Sequence, residues 1–255
     1  MVSLTIEEWD RQFLRQARWT QGIRSALYRQ AGLWRAEAVL DVGCGTGVIT
    51  DEIAHHTRGR VVGLDLNPAM LRYAAGRVEG VEWVVGDAHY LPFPVETFDL
   101  VLCNFLLLWT EHPALAVEEM ARAAREGGVV LATTEPDYGG RIDFPEGIAL
   151  GPLMEESLRR DGAHPRIGRR LKALFAMAGL EVQTGVIPSI WDDQQLREEF
   201  ENEWDFIFRT LNNVTDEAEL RKYQERARGA LQAGERLIFM PMFWALGWKP
   251  EGHFL

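Results

Sequence analysis

Asp41-Val42-Gly43-Cys44-Gly45-Thr46-Gly47 sets three glycines at alternate positions, directly after the apolar pair Val39-Leu40 and a carboxylate. Without a Cβ, a glycine takes positive φ and lets a second molecule lie close to the main chain. Alternating glycines just after a strand suggest a ligand held against backbone at the C-terminal edge of a parallel sheet. Asp65 closes a second apolar run, Val61-Val62-Gly63-Leu64, 20 positions after Gly45. A carboxylate there can accept hydrogen bonds from both hydroxyls of a ribose. Asp65 also reads as part of a helix start, because Asn67-Pro68 opens the next helix. Both readings hold if Asn67 caps while Asp65 points into the cleft. The glycines do not make a dinucleotide fingerprint: the position that needs Gly or Ala is Val48 counted from Gly43, and Thr50 counted from Gly45. NAD and FAD are disfavoured on that spacing. A Walker loop is excluded, since no Gly-Lys-Ser/Thr follows.

Alternating strands and helices must position these groups. Apolar periodicity predicts strands over 37–42, 60–65, 81–85, 98–105 and 129–134, with helices over 46–56, 68–77 and 113–125. Such alternation predicts a mostly parallel sheet with helices on both faces. Residues 4–31 read as helix with a break at Gly22. Further on, an inserted helix over 144–161 precedes an amphipathic helix that starts at Ile167 and ends at Gly179, a natural C-cap. A sixth strand over 181–187, helices over 192–211 and 215–234, and a seventh strand over 236–246 complete the pattern.

Several later stretches extend the glycine motif: Gly63-Leu64-Asp65-Leu66-Asn67-Pro68-Ala69-Met70, Gly86-Asp87-Ala88, Leu91-Pro92-Phe93-Pro94 and Phe98-Asp99-Leu100-Val101. In that order they resemble class I S-adenosylmethionine (SAM) dependent methyltransferases, of the small-molecule "methyltransferase type 11" kind. The resemblance is specific over 37–134 and looser over 135–250, where Gly168-Arg169 and Ala178-Gly179-Leu180 match a bacterial subgroup. It implies a Rossmann-like α/β fold of seven strands, the last antiparallel. It also implies a helical N-terminal lid at 1–36 and a SAM-binding domain at 37–255, with substrate-side helical insertions at about 138–180 and 192–234. Asp41, Gly43, Cys44, Gly45 and Gly47 would surround the methionine end of SAM. Asp65 would hold the ribose, and Leu66 would lie against the adenine. Asp87 and Ala88 would read the adenine edge, and Asn104 and Phe105 would lie beside the donor. Many relatives have a histidine near 106 or 107. Leu106 and Leu107 stand here instead, leaving no acid–base group and suggesting an apolar surface beside the methyl donor.

The acceptor side is less legible. Asp137 and Tyr138, at the end of the fifth strand, are candidates for substrate contact, and Arg141 for holding an anionic group. An ordinary polar turn with a packed tyrosine fits equally well. His112 is a third candidate, although a loop histidine before a helix is more often simply exposed. Trp191, Trp204, Phe206 and Phe208 suggest an apolar or aromatic acceptor. A SAM or S-adenosylhomocysteine binder without catalysis on the same fold is the alternative.

The chain has 255 residues, 47% of them hydrophobic, and a formal net charge of −11. That length and composition suit one sizeable core. An acidic surface repels phosphate backbones, so a small-molecule substrate is expected rather than nucleic acid. The basic run from Arg159 to Lys172 is broken by Asp161 and reads as a solvated helix face. Cys44 and Cys103 make no disulfide framework and no metal site is expected, which fits a cytoplasmic protein. No signal peptide or membrane span is expected. Oligomeric state is not legible.

Overall fold

The computed structural model describes residues 4–251, the side chains at 188 and 189 excepted. Its elements run α1 (Ile6–Ala31), β1 (Ala38–Val42), α2 (Val48–His56), β2 (Arg60–Asp65), α3 (Pro68–Ala75), β3 (Val81–Val85) and β4 (Phe98–Cys103). Then follow α4 (Pro113–Ala123), β5 (Ala124–Pro136), β6 (Ile142–Phe144), α5 (Leu150–Arg160), α6 (Leu171–Met177), β7 (Glu181–Ile190), α7 (Asp193–Leu211), α8 (Glu217–Ala233) and β8 (Leu237–Trp248). The strands form one sheet, β3-β2-β1-β4-β5-β8, with β6 continuing along the β5 side of β8 and β7 along the other. Strands β1 to β5 are parallel, and β8 runs against its neighbours.

Strand period two sends successive side chains to opposite faces. Leu40, Val62, Val101 and Val130 pack with Met120 of α4 and Phe175 of α6. Val39, Val61, Leu100 and Leu131 pack with Leu27 of α1 and Ile53 of α2. Both faces are covered, so the central strands read as unbroken apolar runs. A third cluster joins α5, α7 and α8 through Leu150, Trp204, Ile207 and Leu220, and closes on Ile238 of β8. It forms a helical cap at the flared end of the sheet.

The doubly wound sheet and its antiparallel strand agree with the sequence reading. Several details differ. The helix at the N-terminus does not break at Gly22. That glycine is exposed, with open space where a Cβ would be, so it carries only its propensity cost of about 1 kcal/mol. An eighth strand, β6, appears within the expected insertion; three residues are too few to show a period. The expected helix 144–161 starts only at Leu150, after Gly147 at φ 85°. Strand β4 stops at Cys103, because Phe105 takes φ 52° and turns the chain. The outermost parts of the expected lid and domain, residues 1–3 and 252–255, lie outside the described residues.

Helix α1 starts with a capping box, in which Thr5 Oγ1 accepts from the Glu8 N–H and Glu8 accepts from the Thr5 N–H. It lies on the sheet and also reaches the cap. Arg15 pairs with Glu199 at 2.6 Å, Arg209 pairs with Glu8 at 2.7 Å, and the rings of Trp19 and Trp191 lie 4.9 Å apart.

Candidate functional site

The glycine loop leaves β1 and enters α2. Gly43, Gly45 and Gly47 have φ of 73°, 55° and 81°, a region that side chains with a Cβ adopt at a cost. The loop is tied down by backbone bonds: Gly43 and Cys44 N–H both donate to Leu64 O, and Gly47 N–H donates to Cys44 O. A Cβ on Gly45 would stand 3.0 Å from the Phe13 ring of α1, and one on Gly43 would stand 2.6 Å from Leu106. The loop is thus flanked by Phe13 and Leu106, and only glycine lets them come so near.

Asp65 links this loop to the second strand. Its Oδ2 accepts from the Gly45 N–H and its Oδ1 from the Asn67 N–H, each at 2.8 Å. Asn67 in turn caps α3 by accepting from the Ala69 N–H. The cap reading of this segment holds at Asn67, and Asp65 is bonded to the glycine loop. Asp65 stays partly exposed, and Leu66 beside it is 68% exposed. An acidic group next to an uncovered apolar side chain is suited to a sugar joined to a flat base.

Asp41 lies beneath the loop, 1% exposed, and accepts from the Thr50 hydroxyl of α2 at 2.6 Å. Burial pushes its pKa up to about 7, against the Thr50 hydrogen bond, which favours the charged form. Cys44 is buried, and burial raises its thiol pKa well above the usual range. It is a packing residue in the loop, not a nucleophile.

At the end of β3, Asp87 Oδ1 accepts from the backbone N–H and ring Nδ1 of His89, at 2.9 and 2.7 Å. The His89 backbone bond holds the Asp87 carboxyl below its usual range. His89 Nε2 accepts from the His112 N–H at 3.2 Å. That bond places the ring proton on Nδ1, facing Asp87. Ala88 is buried next to it. His112 is exposed, and its backbone, at the start of α4, takes part in this arrangement.

The wall opposite Asp65 is the turn after β4. Asn104 Oδ1 accepts from the Thr133 hydroxyl at 2.8 Å. Phe105 N–H donates to Thr134 O at 2.9 Å. Glu135, wholly buried, accepts from Leu106, Leu107 and Leu108 N–H at 2.9, 2.9 and 3.1 Å. Burial raises the Glu135 pKa to about 7, and the three amide bonds oppose that rise.

On the acceptor side the structure engages the sequence candidates internally. Asp137 is 1% exposed, with both oxygens held by the Arg169 guanidinium. Arg141 is buried against Asp143 at 2.8 Å and Glu203 at 3.1 Å, which accounts for its charge without an anionic ligand. Tyr138 packs against the cap, and burial raises its phenol pKa. Trp204 is 1% exposed inside the cap, with Phe208 beside it at a ring distance of 6.0 Å. Its place is core packing, because α7 meets α5 and α8 on that face. Phe206 is half-buried, and the Trp191 ring lies tilted against Trp19.

Sequence reasoning missed Glu135 and His89, and read Phe13, with Trp9, Trp19 and Tyr28, only as a helix aromatic that either touches substrate or packs in the core. Glu135 left one signal, a carboxylate that follows the apolar run Val129-Val130-Leu131-Ala132 and two threonines. His89 left none, since its distant partner is the His112 backbone N–H.

The fold is a doubly wound α/β domain with a glycine loop between its first strand and the helix that follows. Known proteins agree. A family profile described as "Methyltransferase domain" matches residues 40–132. Phosphatidylethanolamine N-methyltransferase of Cereibacter sphaeroides is 42% identical over 146 residues, covering 52% of this chain and 71% of that protein. Malonyl-[acyl-carrier protein] O-methyltransferase of Yersinia pestis is 34% identical over 99 residues, 38% of this chain and 36% of that one. The match spans 48%, 36% and 36% of the first three curated relatives. Among solved structures, YcgJ from Bacillus subtilis superposes with a TM-score of 0.60 at 21% identity, covering 89% of this chain and 98% of that one. Phosphoethanolamine N-methyltransferase 2 of Haemonchus contortus, solved with S-adenosylhomocysteine, gives 0.62 at 19% identity over 91% of this chain and 53% of that one. At those identities the two structures speak to fold alone. The chain belongs to the SAM-dependent methyltransferase family.

Proposed function

We propose that this protein transfers a methyl group from SAM to a small-molecule acceptor with an apolar part. The observation that carries the reading is the Asp65 carboxylate bonded to the Gly45 N–H at 2.8 Å, beside the uncovered Leu66. The residues fit the cofactor: a glycine loop that brings main chain to the surface, an acid for sugar hydroxyls and an apolar side chain for a base. Asp65 holds the ribose, Leu66 and Ala88 flank the adenine, and Asp87 reads its amine with the oxygen that His89 does not use. The glycine loop and Asp41 enclose the methionine end. Asn104 and Phe105 form the wall beside the donor.

When bound, SAM supplies an already activated methyl group, so the protein's main task is alignment of donor and acceptor. Asn104 has its Oδ1 fixed by Thr133, and its two Nδ2–H donors are the groups it would offer a ligand. Phe13 and Leu106 close the glycine loop from two sides and exclude water. Their apolar character, with Trp9 stacked on Phe13 at 5.5 Å, favours an acceptor with an apolar part. Phosphatidylethanolamine, named for the Cereibacter relative, is an acceptor of that kind. The net charge of −11 favours such acceptors over nucleic acid. Cys44 and Cys103, both buried and free, suit a reducing, cytoplasmic setting.

Calorimetric titration with SAM, S-adenosylhomocysteine and NADH tests the reading. The expected result is micromolar binding of the first two and none of the third. Protein free of carried-over ligand that binds neither SAM nor its product would overturn it.

A further inference from the structure

We propose that Glu135 is a positioning residue: its buried carboxylate sets the wall of the site that faces the methyl donor. The inference rests on the SAM reading above and adds a residue with no place in it. Three successive residues at the end of β5 grip the turn after β4. The Thr133 hydroxyl reaches Asn104 Oδ1 at 2.8 Å, and Thr134 O accepts from the Phe105 N–H at 2.9 Å. The Glu135 oxygens then take the next three amides, Leu106 and Leu107 on Oε1 and Leu108 on Oε2.

Those three N–H groups open a tight turn, closed by Trp109 N–H on Leu106 O, and a strand supplies them no partner. A buried amide without an acceptor is costly, and one carboxylate satisfies all three. The same bonds hold a conformation the chain resists. Phe105 has φ 52°, a left-handed value that persists in a non-glycine residue only when its surroundings enforce it. The result is specific: the Leu106 side chain is set against Gly43, where an added Cβ would come within 2.6 Å of it, and Asn104 is turned with its oxygen toward Thr133. Glu135 is 0% exposed, so it touches no ligand and acts only through this turn.

The test uses the full chain with Glu135→Gln and Glu135→Ala. Glutamine keeps one oxygen for Leu106 and Leu107, but sets its amide N–H donors against the Leu108 N–H. Alanine removes all acceptors. SAM affinity is measured by calorimetry well below the unfolding midpoint, and amide exchange is followed residue by residue. The expected result is faster exchange confined to 106–108, with Kd for SAM raised about tenfold in the glutamine variant and more in alanine, the scale on which a residue without ligand contact changes affinity. If alanine does not fold, the glutamine variant carries the test. Unchanged exchange at 106–108, or an unchanged Kd despite faster exchange, overturns the proposal. A wild-type protein that fails to bind SAM overturns the cofactor reading instead, and the exchange data still judge whether Glu135 holds the turn.

Discussion

Asp65 illustrates how one side chain serves local structure and ligand together. Two of its lone pairs are taken by Gly45 and Asn67 amides, and a carboxylate has about four in all. Asp65→Ala is expected to weaken SAM binding by roughly 1.5–3 kcal/mol, the loss of hydrogen bonds to a charged acceptor. Equal affinity by calorimetry would put the ribose elsewhere. Gly45→Val is expected to abolish SAM binding in a folded protein, because a Cβ there would meet Phe13 at 3.0 Å in a backbone with φ 55°; circular dichroism with titration reads both parts. Asp41 predicts a pH dependence. Its folded pKa, about 7, lies above the ordinary value of an exposed aspartate, 3.8. Its contribution to stability is therefore fully present below about 3.8 and is lost as pH rises through about 7. Asp41→Asn should gain on the wild type in urea denaturation as pH climbs across that window. A difference that is flat with pH would mean that burial does not govern this carboxyl. At this scale the glycines and Asp65 were legible because their signal is local. Glu135 and His89 were not, since one grips amides nearly thirty residues upstream and the other binds a backbone group at the start of α4.

Among the elements, the cap is where sequence reasoning needed correction. Aromatics at helical spacing in α7 look alike whether they line a pocket or fill a core, and which face meets α5 and α8 is a tertiary fact. Trp204→Ala is expected to cost about 3–5 kcal/mol, the scale for emptying a large core side chain. SAM affinity of the folded variant should be unchanged. A cost under about 1 kcal/mol would show that the cap is not packed through this ring. The short strand β6 is held by charge rather than by pattern. Asp143, its middle residue, bonds Arg141 at 2.8 Å and Arg236 at 2.6 Å, with 2% of its side chain exposed. Asp143→Ala leaves two buried guanidinium groups short of a counter-charge, so a loss of about 3–5 kcal/mol is expected in denaturant melts. A small loss would mean that Glu203 and backbone carbonyls suffice. Three residues, Ile142–Phe144, cut off by Pro145, left the sequence no means to announce this strand.

For the molecule as a whole, the sheet was legible because burial on both faces forces long apolar runs at regular intervals, each followed by a helix. The relation between its ends was not legible. Helix α1 is bonded to α7 through Arg15–Glu199 and Glu8–Arg209, and Gln30 reaches Gln183 of β7 at 2.6 Å. These contacts join residues 153 to 201 positions apart. On a ribosome, α1 is finished long before its partners exist. At 5–20 residues per second, the interval from α1 to α7 lasts roughly 10–40 s. Throughout that time the side of α1 that later faces Trp191 and Glu199 has nothing to rest on. Nascent chains stopped short of 181–255 should therefore leave α1 open to protease, and full-length chains should protect it. The glycine loop, which borrows the Phe13 ring from the same helix, is then among the last parts of the molecule to take its final shape.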